Sequence, residues 1–193
     1  MAARLVFVAN APIDSTRAAT FPTPDSAVVG RVEPAPIRMV GCLRGSEQRC
    51  AQTASGLGWP AEVDPALDDL DLGAWAGADP MDLLMAGTPE LADFFRRPTV
   101  RPPGGETVSE LIARVGRRCD GDWPDGRTVL VTSPAVVRAA VVHLLGLPES
   151  AYFNFDVAPL DALSCSRSDA RWTMRSLMPF AAWSALWARD ESA

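Results

Sequence analysis

One histidine, His143, occurs in the 193 residues of this chain. A pair of imidazoles for phosphoryl transfer or for gripping a metal cannot be assembled from it. Four cysteines, Cys42, Cys50, Cys119 and Cys165, are widely scattered and form no Cys-x-x-Cys pair, so no structural zinc set is expected. The reading is therefore of a protein with no metal and no cofactor. No stretch approaches the roughly 20 apolar residues that cross a bilayer, and the apolar run at the N-terminus is too short for a secretory signal. We expect a soluble cytoplasmic protein with reduced thiols and no membrane association. Acidic residues outnumber basic ones by 24 to 18, with no basic stripe interleaved with aromatics, which disfavours a nucleic-acid partner. An anionic ligand would need local positive charge against a net charge of −6.

With 48% of its residues hydrophobic, the chain can bury one good core and is too short for two domains of ordinary size. The run Arg4-Leu5-Val6-Phe7-Val8 reads as a buried central strand that leaves the sheet through Ala9-Asn10-Ala11. A second such run, Arg127–Thr132, breaks at Ser133-Pro134 and continues into the apolar stretch Ala135–Leu145. Side by side, these strands place Asn10 and Ser133 at one edge, where open α/β sheets build their sites.

Between them, residues 12–36 read as loop, with one short helix near Ser15–Ala19. Arg38–Cys42 reads as a second strand, and Glu47–Leu57 as a helix capped by Gly45-Ser46 and closed by Gly58, with Arg49 in its first turn. Two short helices are expected in Asp79–Arg97, and the apolar spacing of Val108, Leu111, Ile112 and Val115 makes Glu106–Cys119 a helix. Asp156–Cys165 and Arg171–Leu177 read as a hairpin joined by Arg167-Ser168-Asp169-Ala170. The stripe Phe180, Trp183 and Trp187 makes a final helix, docked on its own domain or offered to a partner.

Several of these segments resemble the histidine phosphatase (phosphoglycerate mutase-like) superfamily. Val8-Ala9-Asn10-Ala11 matches the family's strand ending in Arg-His-Gly, and Val131–Ala139 its later strand ending in a second histidine before a helix. Arg49-Cys50-Ala51-Gln52-Thr53-Ala54 is similar to Arg-Ala-x-Gln-Thr-Ala, and Leu67–Gly77 to Leu-x-Glu-x-x-x-Gly-x-Trp-x-Gly. Pro102–Thr107 and Leu144–Pro148 fit in the same order, so the resemblance covers residues 4 to about 150. It implies a three-layer α/β sandwich with a mainly parallel central sheet, helices on both faces and a small helical cap. Residues 1–193 would form one domain, with the cap inserted at about 76–105.

By the same resemblance, the phosphate pocket of two arginines and two histidines corresponds to Ala9, Asn10, Arg49 and Ser133, and the proton donor to Asp69. Only Arg49 keeps its cation. A charge-assisted contact contributes about 1.5–3 kcal/mol, so losing three such groups lowers phosphate affinity by several powers of ten. Asparagine cannot replace histidine as a nucleophile, because its amide nitrogen lone pair is delocalised into the carbonyl. No catalytic residue is therefore assigned. Asn10 either closes a hydrogen-bonded loop or contacts a ligand, and Arg49 faces either a bound anion or a partnering carboxylate. Asp69 serves as a cap or as an acid, and Glu106 is a further carboxylate near the rim. Ser133 is a good N-cap ahead of Pro134; as a nucleophile it would need a base, and no such dyad is evident.

Three functions remain. The first is a pseudo-phosphatase whose cleft, with Ala9, Asn10, Arg49, Asp69, Glu106 and Ser133 as its candidate ligand-binding residues, holds a small molecule, anionic among the options, or a protein partner. The second is an enzyme using that cleft for acid/base chemistry on a phosphorylated or carboxylated small molecule. The third is a structural module that pairs through the Trp183/Trp187 helix, for which a homodimer is one form.

Overall fold

The computed structural model describes residues 2–168 and 171–190, the side chains of 187–190 excepted. Its centre is β1 (Ala3–Ala9), buried on both faces from Leu5 onward. Alternation sends Leu5, Phe7 and Ala9 to one face and Val6 and Val8 to the other, as a strand covered by helices on both sides requires. Helix α1 (Asp14–Ala18) follows, then β2 (Gly41–Arg44), α2 (Gln48–Leu57) and the short β3 (Glu62–Val63). After α3 (Pro80–Met85), α4 (Pro89–Phe94) and α5 (Val108–Asp120) come β4 (Gly126–Thr132) and α6 (Pro134–Leu144), and then β5 (Asp161–Ser168), β6 (Arg171–Pro179) and α7 (Phe180–Asp190).

The sheet order is β3-β2-β4-β1-β5-β6. The first four of these run parallel, β5 runs antiparallel to β1, and β6 runs antiparallel to β5. On one face α5 and α6 pack through Leu111, Val115, Val137 and Ala140 against Leu5, Phe7 and Leu130. On the other, Cys50, Ala54 and Leu57 of α2 and Phe180 and Trp183 of α7 cover Val6, Val8, Val129 and Val131. The three-layer sandwich with a mainly parallel sheet is thus observed. A third, smaller cluster joins Leu91 and Phe94 of α4 to Leu72 and Trp75, and it stands where the two short helices were expected.

Several boundaries differ from the sequence reading. The second strand starts at Gly41, because residues 38–40 run as an irregular approach whose Arg38 carbonyl accepts from Arg127 at 2.8 Å. Helix α2 is N-capped by Glu47 without a side-chain cap bond, since the Ser46 hydroxyl donates to Asp68 Oδ1 at 2.8 Å instead. The hairpin begins at Asp161, and residues 149–153 form a 3₁₀ turn. The Asp169-Ala170 turn and the Trp187 side chain lie outside the described residues, whereas Trp183 is buried against its own sheet, its ring stacked on Phe180 at 5.7 Å. No described helix is long and apolar enough to cross a membrane, and the four cysteines are free and buried.

Candidate ligand-binding site

Parallel pairing brings the carboxyl ends of three strands level. Ala9 registers with Thr132, and Arg44 with Val131. The residues that leave these strands therefore meet at one edge: Asn10 after β1, Ser133 after β4, and the turn into α2 that carries Arg49. That turn is tight. A Cβ on Gly45 would lie 2.4 Å from the Glu47 carboxylate and 2.8 Å from the Leu67 carbonyl oxygen, so glycine is required.

Arg49, 2% exposed, donates one guanidinium nitrogen to Asp69 Oδ2 at 2.5 Å and another to the Thr23 carbonyl at 2.7 Å. Of the two sequence alternatives for this arginine, the partnering carboxylate is present. Asp69 Oδ1 accepts the Ser133 hydroxyl at 2.5 Å and the Leu70 N–H at 2.8 Å. Its backbone is fixed as well: Glu47 accepts its N–H, and Arg114 donates to its carbonyl at 3.2 Å. Burial pushes the Glu47 carboxyl above its ordinary value of 4.5, with the Asp69 N–H pulling the other way and the Asp69 charge adding to the rise.

Ser133 is the N-cap of α6, its hydroxyl oxygen accepting from the Val136 N–H at 3.3 Å. Contrary to the sequence reading, a serine–aspartate contact does exist. At 1% exposure the hydroxyl is buried, and it donates to a carboxylate already paired with Arg49. Asn10 bonds through Nδ2 to the Ala11 carbonyl at 2.8 Å, closing the loop after β1.

Two expected site residues fall elsewhere. Ala9 turns into the α5/α6 core beside Leu5 and Phe7, because strand alternation sends it there. Glu106 pairs through both oxygens with Arg114, at 3.0 and 2.7 Å, on a separate cleft; Arg114 also holds the Ala66 and Asp68 carbonyls. The pair acts as a staple behind Asp69.

Asn10, Arg49 and Asp69 line a cavity of about 310 Å³. Phe21, Phe94, Phe95, Leu70, Leu72 and Val108 give it a largely apolar wall. Arg138, which the sequence reading passed over as a site residue, lines it too, its guanidinium 4.7 Å above the Tyr152 ring. The available signal was a lone arginine in the apolar stretch Ala135–Leu144, one turn from Pro134 and Ala135 and so on their face of the helix. His143 lies ten residues beyond Ser133, roughly 15 Å along the helix axis, and its Nε2 meets Asp120 at 3.0 Å. Among the described residues no cluster of three or more His, Cys, Asp or Glu could hold a metal.

A six-stranded mixed sheet with a cleft at its carboxyl edge defines an α/β protein of the phosphoglycerate mutase-like fold. Residues 26–178 match the histidine phosphatase superfamily (branch 1), and the chain belongs to that superfamily. The matched span begins beyond Asn10. An Escherichia coli protein provisionally assigned as an alpha-ribazole-5'-P phosphatase superposes with a TM-score of 0.83 at 16% identity, covering 93% of this chain and 98% of that one. The mycobacterial glucosyl-3-phosphoglycerate phosphatase gives a TM-score of 0.78 at 18% identity, over 93% and 100% of the two chains. The alpha-ribazole phosphatase of Shigella flexneri gives 0.74 at 15% identity, over 92% and 96%. No curated protein sequence matches the chain.

Proposed function

We propose that this protein is a pseudo-phosphatase: it keeps the fold and cleft of the histidine phosphatases, has lost phosphohistidine chemistry, and uses the cleft to bind a small molecule. One observation carries the reading. The groups at the family's positions are engaged with one another, Arg49 on Asp69 and Asp69 on Ser133, and the single imidazole of the chain lies at the far end of α6. A phosphoryl group arriving there would find no lone-pair nitrogen to accept it. It would also have to displace Asp69 from Arg49. In this proposal it acts in the cytoplasm as one domain.

The test is incubation with acetyl phosphate and with p-nitrophenyl phosphate, followed by intact mass and phosphate release. No phosphorylated protein and no release above background are expected. A phosphoprotein that forms and turns over would overturn the reading. The relatives' names make alpha-ribazole 5'-phosphate and glucosyl-3-phosphoglycerate the natural additional substrates to try.

A second reading, acid/base chemistry by Asp69, draws on the presence of Asp69 in the cavity wall. It requires a turnover that disappears in Asp69→Asn. Since both oxygens of Asp69 already accept hydrogen bonds, the binding role is the better supported of the two.

A further inference from the structure

Buried polar atoms without a partner are uncommon in folded proteins, and each calls for an explanation. Three of them belong to residues that line this one cavity: Asn10 Oδ1, Ser15 Oγ and Arg138 Nε. Asn10 is 3% and Ser15 7% exposed, so neither reaches bulk solvent freely. Among the described residues Arg138 makes no hydrogen bond or ion pair; its guanidinium lies over the face of Tyr152. The cavity wall therefore carries a cation with no ion partner among the described residues, together with an unpartnered amide oxygen and an unpartnered hydroxyl buried in that wall, beside phenylalanine rings.

From this juxtaposition, and resting on the binding reading above, we infer that the cavity takes a monoanionic carboxylic acid with an apolar, aromatic-sized body, its carboxylate on Arg138 and a hydroxyl or N–H donor on Asn10 Oδ1. The charge count favours a monoanion over a phosphate monoester. Arg49, the other cation on the wall, is already paired with Asp69, which leaves one guanidinium for the ligand and a carboxylate facing the same space. A phosphate dianion needs more positive charge than that, whereas a planar guanidinium matches a carboxylate with two parallel hydrogen bonds. Phe21, Phe94 and Phe95 form one contiguous aromatic group, with Phe21 stacked on Phe95 at 6.3 Å and edge-on to Phe94 at 6.4 Å, and so supply a surface for a ring.

The test uses phenylacetate, mandelate, 2-phenylethanol and phenyl phosphate, each titrated calorimetrically into the wild type, Arg138→Gln and Arg138→Lys. Phenylacetate should bind about tenfold or more tighter than 2-phenylethanol, the ratio that one charge-assisted contact gives, and tighter than phenyl phosphate. Mandelate, with a donor for Asn10, should be tighter still. Arg138→Gln should bring acid and alcohol to equal affinity, and Arg138→Lys should restore part of the preference, which separates loss of charge from misfolding. Equal binding of acid and alcohol by the wild type, an acid preference that survives Arg138→Gln, or no binding of any probe at millimolar concentration would overturn the inference. Equal acid and alcohol binding would leave the pseudo-phosphatase reading standing. Phenyl phosphate as the tightest probe, with hydrolysis, would overturn both.

Discussion

Removing Asp69 should expose how strongly the site is closed on itself. The Arg49 side chain is 3% exposed and that of Asp69 14%, so Asp69→Ala leaves a buried guanidinium with only the Thr23 carbonyl as partner. Losing one member of a buried pair costs about 3–5 kcal/mol, and the partial exposure of Asp69 places this case near the lower end, about 3 kcal/mol. Arg49→Met should cost less, about 2 kcal/mol, because Asp69 keeps the Ser133 hydroxyl and the Leu70 N–H. In the double variant neither charge is stranded, so its loss should fall below the sum of the single losses by about 1.5–3 kcal/mol. Urea denaturation followed by tryptophan fluorescence would measure all three. For a domain of this length about 3 kcal/mol corresponds to a fall in Tm of roughly 6–12 °C. Additivity within about 0.5 kcal/mol, or a loss under about 1 kcal/mol for Asp69→Ala, is the behaviour of an exposed ion pair and would refute the reasoning.

Other perturbations have equally definite outcomes. Ser133→Ala removes both the cap of α6 and the bond to Asp69, and should lower stability by about 2–3 kcal/mol in the same assay. Glu47 has its folded pKa raised by burial, so its charging destabilises the fold as pH rises above the ordinary value of 4.5; Glu47→Gln should gain stability relative to wild type between pH 4.5 and 7 and show least gain below pH 4.5, read from urea midpoints across that range. A gain that does not grow with pH would contradict that sign. Gly73→Ala should be severely destabilising, because Gly73 has φ +51° and a Cβ there would lie 2.2 Å from the Pro103 carbonyl oxygen. Thr107→Ala breaks the reciprocal cap with Glu110 and should cost about 1 kcal/mol.

The fold was legible because its signals are short-range and redundant. Runs such as Leu5–Val8 and Thr128–Thr132 can only be buried strands, Ser133-Pro134 marks a helix start, and Gly58 a helix end. The convergence of Asn10, Arg49, Asp69 and Ser133 was legible through the family's motifs, which fix their topological positions. What they do there was not, because it depends on distances across 20 to 64 residues of sequence: Arg49 to Asp69, and Asp69 to Ser133. Ala9 was misplaced because a motif match carries no information on which face of the strand a side chain takes. Glu106 lies away from the cavity, where Arg114, eight residues on, holds both its oxygens. The charge of Arg138 was visible in the sequence, but its lack of an ion partner is a property of the assembled cavity.

Under the proposed function, Asp69 takes the place on Arg49 that an incoming anion would need. Vanadate titration during thermal melting tests it most directly. A ligand at a hundredfold excess over Kd stabilises by about 2.7 kcal/mol, or roughly 5–11 °C in a domain of this size. No shift is expected with millimolar vanadate or phosphate. A shift of several degrees that is lost in Arg49→Ala would show that Asp69 yields its arginine to an incoming anion, and would overturn the pseudo-phosphatase reading.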